Sequence, residues 1–206
     1  MDAGKRQWIV AILGLTVGIS LTASAGQVYI YGGDFNLRIP ADPDNTRGWM
    51  DDAVIEIPDH FPIADLDVSI SLRHTDVLDL QIFLQNPAGT RRICLSKYDS
   101  YDPNLTGEDY WLTIFDDEAE ISIDDARPPF TGRFRPEPGN ALSIFDGLDT
   151  YGSWRLQIND MYYADSGVLD SFELMIEIPE PTTAILLTLG AALMTLFKTP
   201  TPNPKF

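Results

Sequence analysis

Leu66, Val68, Ile70 and Leu72 alternate with Asp65, Asp67, Ser69 and Ser71. A helix would scatter these apolar residues around its circumference. An extended strand puts all four on one face and the polar four on the other. Leu80, Ile82 and Leu84 repeat the pattern, and Phe172, Leu174 and Ile176 do so against Glu173 and Glu177. Asn86-Pro87-Ala88-Gly89-Thr90 reads as a turn, with Arg91 to Leu95 returning as its hairpin partner. Trp111 to Phe115, Leu142 to Phe145, Arg155 to Ile158 and Leu169 to Ile178 are the further expected strands. Val28 to Tyr31 and Ala53 to Ile57 carry a weaker alternation. No amphipathic helix interrupts these segments, so an all-β, two-sheet sandwich is expected. Residues 124 to 140 carry Pro128, Pro129, Pro136 and Pro138, too many prolines for a central strand.

Both ends read as export signals and not as parts of the fold. Lys5 and Arg6 precede the apolar stretch Trp8 to Leu21, and Ala23-Ser24-Ala25 is an A-x-A cleavage site. Residues 1–25 are therefore expected to be a signal peptide, cut before Gly26. At the other end, Pro179-Glu180-Pro181 leads into Thr182 to Phe197, which holds no charge, and then Lys198. A helix over 182–197 would reach about 24 Å at roughly 1.5 Å per residue. That is short of a hydrocarbon core of about 30 Å, so the segment suits a temporary tail anchor in a membrane. Together these features resemble the PEP-CTERM sorting signal of Gram-negative bacteria. The resemblance implies an exosortase that recognises and removes the tail, and delivery to the cell envelope, outer surface or extracellular matrix. The family usually ends in an arginine cluster, whereas Lys198 here is followed by Thr199 to Phe206.

The chain between Gly26 and Ile178 is one domain's worth of residues. Residues 26–52 are either an extension or a first strand, 53–178 the sandwich, and 179–206 the tail. The 206-residue sequence holds 14 Lys+Arg and 31 Asp+Glu, for a net charge of -17. Such a field repels a phosphate backbone and argues against nucleic-acid binding. The acidic pairs Asp51-Asp52, Asp116-Asp117 and Asp124-Asp125 serve either a solvated surface or a cation. The one cysteine, Cys94, has no partner for an internal disulfide and sits in a strand-like run as a small buried hydrophobe. Tyr98, Tyr101, Tyr110, Tyr151, Tyr162 and Tyr163 offer rings on which an extracellular polysaccharide could stack, while Trp111 and Trp154 are expected in the core. Trp49, in the polar stretch Pro40 to Asp52, is either an exposed anchor or a cap on the sandwich.

A second resemblance covers nearly all of the core. Ile63 to Ile70, His74-Thr75, Asp79 to Ile82 and Asn86 to Thr90 resemble the first half of the P (P/Homo B) domain of proprotein convertases. Phe115 to Ala119 and Pro129 to Glu137 resemble its middle; Gly152 to Leu156, Asp160, Gly167 to Leu169 and Ser171 to Leu174 resemble its end. Phe172 stands where the pattern commonly has tryptophan. The resemblance implies a jelly-roll β-sandwich that follows and stabilises a subtilisin-like catalytic domain, without catalytic residues of its own. This sequence leaves no room for that protease, and its only Gly-Thr, Gly89-Thr90, is followed by Arg91 and not by a nucleophilic serine. The expectation is a non-catalytic module, an accessory to a separate subtilisin-like endopeptidase, or a calcium-dependent glycan-binding adhesin. Zinc or copper would want several His or Cys ligands, whereas calcium takes carboxylate oxygens from loops. The resemblance points to Asp116, Asp117 and Glu118 just past a strand end, and Asp160 and Asp165 at another strand end could approach them, so Asp116, Asp117 and Asp160 are the calcium candidates.

Overall fold

The computed structural model of the protein describes residues 26–45, 47–97 and 107–179. Ten strands follow in order: β1 Gln27–Ile39, β2 Gly48–Trp49, β3 Ala53–Ile57, β4 Asp65–His74, β5 Leu80–Gln85, β6 Arg92–Ser96, β7 Tyr110–Phe115, β8 Phe130–Phe134, β9 Gly152–Asp160 and β10 Gly167–Ile178. The first sheet runs β1-β10-β4-β7-β8; the second runs β2-β9-β5-β6, with β3 also paired to β9. This is the expected all-β sandwich, with the chain passing repeatedly between the sheets in the jelly-roll manner.

Alternation decides which residues fill the space between the sheets. Leu66, Val68, Ile70 and Leu72 of β4 meet Leu80, Ile82 and Leu84 of β5, all essentially inaccessible to solvent. Leu156 and Ile158 of β9 and Phe172, Leu174 and Ile176 of β10 join the same core. Trp154 is fully buried against Phe145, and its indole N–H donates to the Thr150 carbonyl at 2.9 Å. A buried indole without that acceptor would keep the full cost of losing water. Tyr110 is buried likewise, its hydroxyl 2.8 Å from that of Ser96.

β1 is long, pairs with β10 from Gln27 to Ile39 and forms an edge of the first sheet. It also packs against β3, so the sandwich begins well before residue 53. Gly32 permits this, because its φ is +129° and a Cβ there would collide with the Phe172 carbonyl. The Pro-rich stretch yields β8 at the opposite edge, in parallel register with β7. An edge is where proline-flanked strand is tolerated.

Two expectations are corrected. Leu142–Phe145 is a 3-10 turn, not a strand. Leu142 and Phe145 are both buried while Ile144 is 40% exposed, a period of three where a strand would need two. Trp111 is not core but 56% exposed. Leu112 adopts φ +49° and breaks the phase of β7, so Tyr110, Thr113 and Phe115 point inward instead.

Candidate functional site

Polar chemistry gathers at the two ends of β4. At its start, Asp67 faces β7 and β8. Arg133 of β8 reaches Asp67 Oδ2 at 2.7 Å and Asp116 Oδ2 at 2.6 Å through one guanidinium nitrogen. Asp116 closes the end of β7, where its Oδ1 also accepts the Glu118 N–H at 2.7 Å. Burial pulls the Asp116 pKa upward, but the bonds from Arg133 and the Glu118 backbone outweigh it and hold the carboxyl below its usual range. Burial raises Asp67, and burial with the Asp116 hydrogen bond raises Glu118. Among the described residues, Asp67 Oδ1 is buried without a hydrogen-bond partner. Asp117 turns away from this group and accepts the N–H groups of Leu142 and Ser143, both at 2.9 Å. It thereby fixes the 3-10 turn that the alternation did not foresee.

At the far end of β4, His74 and Asp160 form a pair whose side chains are both 0% exposed. His74 Nε2 lies 3.2 Å from Asp160 Oδ2, and Nδ1 lies 2.7 Å from the Asp76 carbonyl. Asp160 Oδ1 accepts the Tyr162 N–H at 3.2 Å. Gly167 makes room for the ring, since a Cβ there would strike the Arg73 carbonyl and His74 itself. Asp79 sits beside this pair. Burial first, then the charges of Asp76, Asp165 and Asp160, push its pKa up to about 7, with His74 opposing.

The three calcium candidates therefore do not converge. Asp116 and Asp117 stand near Asp67, whereas Asp160 stands by His74, seven residues further along β4, or about 23 Å at roughly 3.3 Å per residue. Asp117 is occupied by backbone donors and Asp116 by Arg133. Among the described residues, no group of three or more His, Cys, Asp or Glu is arranged to hold a metal ion. Among the described residues, Asp116, Asp117 and Asp160 are thus not brought together as one set of donors.

Neither histidine has the surroundings of a general base for a serine nucleophile. His74 is sealed from solvent. His60 is exposed, stacked on Tyr151 with ring centroids 4.1 Å apart and 2.8 Å from Asp149 Oδ2. The bond from His60, with one from the Tyr151 N–H, lowers the Asp149 carboxyl. Among the described residues, neither ring is hydrogen-bonded to a serine.

Of the aromatic candidates, Tyr110 is buried, Tyr151, Tyr162 and Tyr163 are exposed, and Tyr98 and Tyr101 lie outside the described residues. Cys94 is buried, with its backbone N–H bonded to Asn140. Of the export signals, Pro179 is the exposed residue just after β10. Ala23, Ala25, Glu180, Pro181, Lys198 and the expected helix 182–197 lie outside the described residues. Among the described residues, no helix is long and apolar enough to cross a membrane. Sequence reasoning missed Arg133, whose role follows from the parallel pairing of β7 with β8, a long-range contact with no local signal.

Among the described residues, then, the two sheets form an all-β sandwich whose polar clusters lie at strand ends and bond to neighbouring loops. Residues 63–176, more than half of the chain, match the proprotein convertase P-domain, and the chain belongs to that family. In proprotein convertases that domain is a non-catalytic module. β1, β2 and β3 lie ahead of the matched segment yet are built into its sheets. No curated protein matches the sequence. Similar solved structures include the serine protease of Aeromonas sobria, at 20% identity and TM-score 0.38, covering 78% of this chain and 26% of that one. The same protease in complex with its chaperone aligns at 20% identity and TM-score 0.38, covering 79% and 26%. A VP2 protein of infectious bursal disease virus aligns at 13% identity and TM-score 0.24, covering 89% and 53%. The chain thus spans about a quarter of the length of the protease, and at these TM-scores none of the three likenesses bears on function.

Proposed function

We propose that the protein is an exported, non-catalytic P-domain module of the bacterial cell envelope that works by binding another macromolecule. The signal peptide expected over 1–25 and the sorting tail over 179–206 support export through a membrane-anchored intermediate processed by an exosortase. The observation that carries the non-catalytic reading is the use to which both histidines are put. His74 is locked with Asp160 inside the protein, and His60 is stacked on Tyr151 at the surface. Neither is left to activate a hydroxyl.

A second reading is favoured by family membership itself. P domains accompany subtilisin-like endopeptidases, so this one acts as an accessory that docks on a separate protease and stabilises it. The test is co-purification from envelope fractions, followed by a casein assay on the full chain alone. Recovery of a subtilisin-like protease that lacks its own P domain supports the accessory reading. Casein hydrolysis by the purified chain, abolished on replacing His74, would overturn both. The mass of the mature protein tests the two cleavages directly.

A further inference from the structure

The outward face of the second sheet carries a layer of side chains drawn from three strands. Trp49 comes from β2, Phe83 from β5 and Arg92 from β6. β2 and β5 are separated by β9, about 10 Å across two strand spacings. Yet the Trp49 and Phe83 ring centroids are only 6.2 Å apart, so the indole lies across β9. The Arg92 guanidinium sits 3.8 Å over the Phe83 ring and 5.4 Å from that of Trp49. Trp49 remains 50% exposed. A cation held between two rings fixes all three side chains, so little freedom is lost when a ligand settles on them.

Carboxamides surround this layer. Gln81 and Asn159 share the cross-strand row of Trp49, and Gln157 is opposite Phe83. Gln85 is opposite both Arg92 and Arg155. Among the described residues, Gln81 and Gln85 make no side-chain hydrogen bond, so their amides are free. Each free amide offers a donor and an acceptor, the pair that matches a hydroxyl. Charge on this face nearly balances: Arg155 lies 3.5 Å from Asp52, Glu56 accepts from Ser153, and among the described residues Arg92 has no carboxylate partner. The face is thus close to neutral on a chain of net charge -17. The overall field repels a polyanion, while a flat ring edged by free amides suits an uncharged, hydroxyl-rich ligand.

We propose that this face binds a neutral polysaccharide, with a pyranose ring stacked on Trp49 and its hydroxyls held by Gln81, Gln85 and Arg92. The site is built on strand residues and needs no metal. It deepens the envelope reading without depending on the protease-accessory one.

Affinity electrophoresis of the full chain in mild detergent tests it, in gels cast with β-1,3-glucan, mannan or xylan, and with polygalacturonate as the anionic comparison. At least one neutral polymer is expected to retard the protein. Trp49→Ala should weaken that binding about tenfold or more, the loss of one stacked ring. Gln81→Ala, which removes no internal bond, should weaken it measurably. Tyr151→Ala should leave it unchanged. If Trp49→Ala lowers the melting temperature, Gln81→Ala decides. Retardation by polygalacturonate alone, by none of the polymers, or undiminished in both variants would overturn the proposal. A protease recovered by co-purification would then leave the accessory reading standing.

Discussion

Asp79 is the residue whose replacement should strengthen the protein, and by an amount that depends on pH. Its carboxyl is half-buried and makes no hydrogen bond among the described residues. It faces Asp76, Asp165 and Asp160, and its pKa rises from 3.8 to about 7. The folded state therefore holds the proton more tightly than the unfolded chain. Between pH 4 and 7 unfolding releases that proton, so Asp79 contributes a stability that is complete below the unfolded pKa and lost as pH climbs toward the folded one. A rise from 3.8 to about 7 corresponds to a ceiling of about 4 kcal/mol. Solvent reaches part of the group, and screening brings the expected cost to about 1–2 kcal/mol above pH 7.

Asp79→Asn removes the charge and keeps the shape. At pH 8 the variant should be more stable than the parent by about 1–2 kcal/mol, or about 2–8 °C in melting temperature for a domain of this size. At pH 4.5 most of the difference should be gone. Urea denaturation of both proteins across that range gives the comparison, and the other raised carboxyls, Asp67, Glu118 and Asp146, cancel in the difference. A gain that does not vary with pH, or a loss at pH 8, would refute the reasoning.

Three further outcomes are expected. Arg133→Met leaves Asp67 and Asp116 facing each other without their cation; because the guanidinium is 50% exposed the loss should be modest, about 1–2 kcal/mol by urea denaturation at pH 8. It should shrink at pH 4 as the carboxyls are protonated. Asp117→Ala takes the acceptor from two backbone N–H groups of the 3-10 turn and should cost about 1–2 kcal/mol without changing the far-ultraviolet circular dichroism. Gly32→Ala forces a side chain into left-handed backbone against the Phe172 carbonyl and should cost more than about 2 kcal/mol or abolish soluble expression.

What the sequence disclosed was what one face of one strand decides. The alternations in β4, β5 and β10 placed those strands, because burial of a single face rewards period two and nothing else. The segment 142–145 looked like the same signal because four residues cannot separate a period of two from one of three. The deciding contact, Asp117 to the Leu142 and Ser143 N–H groups, comes from a loop 25 residues upstream. Trp111 was misplaced for a related reason, since the positive φ at Leu112 resets the face without any glycine to announce it. The site fared worse. Asp116, Asp117 and Asp160 share a residue type and strand-end positions, but sheet topology assigns them different partners and opposite ends of β4. The Trp49–Phe83–Arg92 layer was invisible because it joins three strands that are neighbours only in space.

The acid excess has a consistent physical meaning once those partners are known. Where carboxyls are buried together at the start of β4, the protein supplies Arg133 as an internal cation, and a metal would have to displace it. Where they gather beside His74, the histidine meets Asp160, and Asp79 is left to absorb the repulsion in a raised pKa. At both ends the acidic loops that close the sandwich find their partners within the protein. Elsewhere the acids hold the surface in water and repel anions. The near-neutral, ring-bearing face of the second sheet departs from this rule. A face kept rigid by stacking, and kept short of charge on a strongly acidic protein, is suited to a partner that is itself uncharged.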